Sequence, residues 1–191
     1  MASAEKSVDL ATAKRYIKGR EIKGYEGCSI ARAYFKETYF SAENAEIDSK
    51  GLYSFEKLIR LAFIQKMQDD PVLGQQKGFI DYVAGLCESF ETPAVRDWRP
   101  EQSANRICDF MKSFYNMYVF QRKKCGHSAE DSLTSFLGLM YECLDFGYVE
   151  LSGRFASLPQ GIKDVINKVF FLVNNKIEEW YEERLVSISA A

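Results

Sequence analysis

The sequence predicts an all-α protein. Apolar residues recur at three- and four-residue spacing almost throughout, and all four prolines fall between such stretches. No run alternates with the two-residue period of a half-buried strand, and no internal repeat is visible. The expected architecture is a compact bundle of about seven to eight helices around an aromatic-rich central helix. A length of 191 residues suits one domain over 1–191, with connecting loops at 41–51 and 91–100.

In chain order, Ser7 to Lys18 reads as the first helix, with Val8, Ala11 and Tyr16-Ile17 on its apolar side. Residues 27–40 follow, pairing Ile30 with Tyr34 and Ala31 with Phe35 at i,i+4. The polar, acidic stretch 41–51 then reads as a loop. Ser54 is the expected cap of a helix whose stripe is Phe55, Leu58, Ile59, Ala62 and Phe63, stopped by Pro71. Phe79, Ile80, Val83, Leu86, Cys87 and Phe90 repeat at helical spacing up to Pro93. Trp98 is the expected anchor of the connector after them.

The helix near 100–124 closes with Arg122-Lys123-Lys124 before Gly126. Cations in the last turn oppose the negative helix end, and glycine supplies the left-handed exit. Between Ile107 and Phe120 apolar residues cover well over half its circumference, which predicts a central position. Ser128 caps the next helix, with Glu130 and Asp131 in its first turn and Gly147 as its expected stop. After an ambiguous stretch at 148–158, Pro159 opens the longest helix, near 160–186.

Composition narrows the function classes. Fourteen Phe, eleven Tyr and two Trp supply a large core and a capacity for adhesive surface. Against them stands a single histidine, His127. The inventory for proton transfer near neutral pH is thin, so the chain is expected not to be an enzyme. The net charge of −2 gives no electrostatic case for nucleic acid. Residues 1–40 carry eight Lys/Arg against five Asp/Glu, which reads first as a solvated basic face. Five cysteines without CxxC spacing, and no apolar leader, point to a reducing, cytoplasmic setting. The longest strongly apolar run, Val169 to Val173, is far short of a membrane span.

Candidate sites are few. Zinc, di-iron and phosphate-loop spacings are absent, so neither metal nor cofactor is expected. A cysteine could meet His127 in space as a nucleophile pair, and this is the enzyme alternative, together with paired carboxylates. Phe110, Phe114, Tyr118 and Phe136 could enclose a small ligand, which would make the chain a helical sensor. The leading expectation is a protein-interaction module: an adaptor, chaperone-like subunit or secreted effector holding a protein segment on an aromatic-rich surface or groove. The expected contact residues lie on the last helix. Glu178, Glu179, Glu182 and Glu183 form two i,i+4 carboxylate pairs around Trp180 and Tyr181, with Phe171 on the polar side of the same helix. Like charges at that spacing, near a helix C-terminus, work against the helix.

Overall fold

The computed structural model describes residues 47–71, 73, 99–152 and 159–190. The helices expected at 7–18, 27–40 and 79–90, the basic face of residues 1–40, Trp98, Cys28 and Cys87 lie outside the described residues. Within them the chain is helical, with no strand. Five helical segments follow in order: α1 (Ile47–Asp69), α2 (Pro100–Ser113), α3 (Tyr115–Lys124), α4 (Ala129–Ser152) and α5 (Gln160–Ser189).

Side-chain partners give the directions. Glu56 meets Arg106, Phe63 meets Phe110 and Phe114, and Asp70 meets Arg122, so α1 runs parallel to α2 and α3. Glu101 pairs with Lys168 and Cys108 faces Val173, so α2 and α5 are parallel as well. Lys66 pairs with Glu142 while Gly147 meets Ile59, and Tyr141 reaches Glu178 while Tyr148 reaches Asn167. Hence α4 runs antiparallel to both α1 and α5. Parallel α1 and α2 cannot be joined by a tight turn, whereas antiparallel α3–α4 and α4–α5 can be joined by short ones.

The expected capping chemistry is present. The α3 exit has Gly126 at φ 83°, with Gly126 N–H donating to Lys123 and His127 N–H to Arg122, both through carbonyl oxygens. This is the Schellman arrangement, and it satisfies carbonyls the helix leaves unpaired. At the start of α4 the Asp131 N–H donates to Ser128 Oγ at 3.0 Å, and Ser128 Oγ donates back to the Asp131 carboxylate at 2.7 Å. α1 ends where Asp70 Oδ1 accepts the Leu73 N–H at 3.1 Å, a side-chain turn ahead of any further helix.

Four expectations are corrected. Helix α1 begins at Ile47, so residues 47–51 of the expected loop are helical and Ser54 lies within the helix instead of capping it. Helix α2 opens at Pro100, where the helix expected near 100–124 begins. Residues 100–124 are two helical segments divided at Phe114. There Ser113 Oγ donates to the Phe110 carbonyl at 2.7 Å and Phe114 N–H bonds Met111 at i−3, which tightens the turn. Gly147 does not stop α4, which continues to Ser152. A Cβ at Gly147 would stand 2.7 Å from Ile59 Cγ1, so this glycine permits close approach of α1 and α4.

The fourth correction concerns the centre. Helices α2 and α3 expose Asp109, Ser113, Asn116 and Phe120, so they flank the bundle. Leu61 to Ile64 on α1 and Cys143 to Tyr148 on α4 are instead buried without a break, on every side of their helices. Buried Glu56, 1 % exposed, ties α1 to α2 through Arg106 Nε at 3.2 Å, with Arg60 at 3.7 Å on its other side.

Candidate functional site

Where α2 and α5 run side by side, their inner rows interlock and their outer rows do not. Cys108 Sγ lies 3.9 Å from the Val173 carbonyl at the base of the seam. Outside it, Asn105, Asp109 and Lys112 of α2 face Lys176, Glu179 and Glu183 of α5, around a groove of about 120 Å³. Cys108 and Trp180 form its floor. Spacings of three and four residues put each row on one stripe of its helix.

The floor is held rigidly. Trp180 is 7 % exposed and packs edge-to-face on Tyr115 at 5.1 Å, with Phe136 at 5.9 Å. Lys112 Nζ stands 6.0 Å from the centre of the Trp180 ring, and the Arg184 guanidinium 5.4 Å from that of Tyr115. Among the described residues, Asp109, Lys112, Lys176, Glu179 and Glu183 form no ion pair within 4.0 Å. Five charged groups therefore line the groove without an ion pair to the described residues.

The expected contact strip divides in two. Glu179 and Glu183 face the groove, whereas Glu178 turns toward α4, accepting the Tyr141 hydroxyl at 3.4 Å. Tyr181 follows Glu178, with its hydroxyl 3.5 Å from Thr134 Oγ1. Glu182 is exposed. Trp180 belongs to the core and offers the groove little surface, its ring edge-to-face on Tyr115 and tilted against Phe136. Phe171 is half-buried and not an exposed contact. Among the described residues the large apolar side chains that stand out are Phe120, Val149 and Val186, with Lys124 Nζ over the Phe120 ring at 4.3 Å.

Sequence reading missed Asn105, Asp109, Lys112 and Lys176. Their periodic polar rows were visible, but which helix α2 pairs with, and in what direction, is not written in either helix.

The chemistry the groove could support follows from its donors. Burial pushes the Cys108 thiol up to about 12, and neighbouring Lys112 and Lys176 offset this only in part. Cys108 is therefore a protonated thiol at neutral pH, without the thiolate a nucleophile needs. His127 is exposed in the α3–α4 turn, while Cys108 and Cys143 are buried. No three His, Cys, Asp or Glu side chains among the described residues converge as a metal site. No described helix is long and apolar enough to cross a membrane.

At the position considered for an enclosed ligand, rings meet rings. Phe114 and Phe136 lie 5.4 and 5.8 Å from Phe63, Phe110 lies 5.3 Å from Phe114, and Tyr118 lies 5.2 Å from Phe136. Fold and groove together define an all-helical protein with a charged interhelical cleft. No family model, no curated protein and no solved structure matches the chain.

Proposed function

We propose that this chain is a non-enzymatic protein-interaction module that receives a side chain of a protein partner in the groove between α2 and α5. The described helices would form one bundle of seven to eight with those expected at 7–18, 27–40 and 79–90. An adaptor, chaperone-like subunit or secreted effector acting in the cytoplasm fits this reading. The observation that carries it is a rigid aromatic floor edged by five charged side chains that form no ion pair with the described residues. Such a floor keeps its shape while the rim selects by charge, which is how interfaces gain specificity.

Size separates this reading from the sensor alternative. A volume of 120 Å³ has room for about four waters, or one long side chain. Pockets that enclose whole ligands run to about 300–1,000 Å³. The groove is too small to swallow a cofactor and large enough to seat an anchor.

The test is affinity capture from the native cell with the unaltered chain and with a Glu179→Lys/Glu183→Lys variant. The reading predicts a protein that is retained by the first and lost from the second, with both chains equally folded. Identical captures, or no protein retained by either, would overturn it.

A further inference from the structure

We infer that the side chain seated in this groove is basic, a lysine or arginine of the partner; the inference rests on the module reading above. The parallel register of α2 and α5 sets Cys108 beside Val173 and Lys112 beside Trp180. At that register Asp109 stands level with Lys176, one charge of each sign. One turn further on, Lys112 stands level with Glu179, and Glu183 lies a turn beyond it. The lower half of the groove is thus balanced, and the upper half keeps one negative charge in excess. Lys112 is also held against the Trp180 ring, which draws its ammonium toward the floor.

A single excess negative charge in a cavity sized for one side chain calls for one cation. A divalent metal ion fits poorly, since no three His, Cys, Asp or Glu side chains among the described residues gather there. A cation on a long stem can pass Trp180 and reach carboxylates separated along the helix, with several donors to share between them. Glu179 and Glu183 also repel each other across one turn, and an inserted cation relieves that repulsion.

The test uses nitrogen-15 NMR on the full chain titrated with acetyl-arginine amide, acetyl-lysine amide and acetyl-glutamate amide. The two basic amides are expected to give saturable shifts confined to 105–112 and 176–183, and the acidic one none. Their relative strength tells a guanidinium site from an ammonium site. Glu183→Gln should weaken binding roughly three- to tenfold, a partly exposed charge pair, and Lys112→Gln should tighten it. Equal response to the acidic amide, absence of any response, or weakening by Lys112→Gln would each overturn the inference. A captured partner that is lost on charge reversal but carries no basic anchor would leave the module reading intact. Binding of the basic amides without any protein partner would do the opposite.

Discussion

The α1–α4 contact and the α2–α5 contact are both seams between neighbouring helices, yet one is closed and the other is open. In the first, Gly147 removes a side chain so that Ile59 can advance, and residues 61–64 and 143–148 are buried all round. In the second, Cys108 closes the inner row, while long charged residues along the outer row hold the surface apart. Small residues draw backbones together; long ionic ones keep a channel wet. On the proposed reading, substitutions in the first seam should cost stability, and those along the outer row of the second should cost partner binding.

Phe114 offers the hardest blow to the closed side. It is 0 % exposed and touches the rings of Phe63 and Phe110, so Phe114→Ala should cost about 3–5 kcal/mol in denaturant unfolding. Phe120, six residues on and 57 % exposed, should change stability by no more than about 0.5 kcal/mol as Phe120→Ser. Similar losses for both would mean that burial does not separate an inner from an outer face on these helices.

Glu56→Gln should come next, at about 2–3 kcal/mol, because it leaves Arg106 and Arg60 facing a buried neutral group. The value falls below the range for a fully buried pair since Arg106 keeps some contact with water. A neutral result would show that the pair holds no helix in place. Gly147→Ala is expected to cost about 1–3 kcal/mol, as overpacking against Ile59 forces α1 and α4 apart. An unchanged midpoint would mean that the seam yields at no cost and is looser than the packing indicates.

How much of this was legible depends on whether a feature is local. The Ser128 cap, the Gly126 exit and the apolar stripe of α1 involve residues within a turn or two of each other, and periodicity reveals them directly. Gly147 misled because a glycine at a helix end and a glycine under a crossing helix look alike without the partner Ile59. The break at Phe114 coincides with the bond from the Ser113 hydroxyl to the Phe110 carbonyl, which a wheel diagram does not register. The wheel also mistook α2–α3 for the centre, since it counts apolar residues and ignores that Asp109, Ser113 and Asn116 share one exposed stripe. For the site, the acidic rows of α5 were read correctly as a pattern, but half of the groove lies on α2, and only the fold joins the two.

The most direct measurement is the unfolding free energy of the Glu179→Gln/Glu183→Gln double variant. These carboxylates repel each other along α5 and form no ion pair with the described residues. If they are kept for a partner, their loss should leave the chain as stable as before, or more stable by roughly 0.2–0.5 kcal/mol. A loss of more than about 1 kcal/mol would place them in the framework of the fold and contradict the division between a closed, stabilising seam and an open, recognising one.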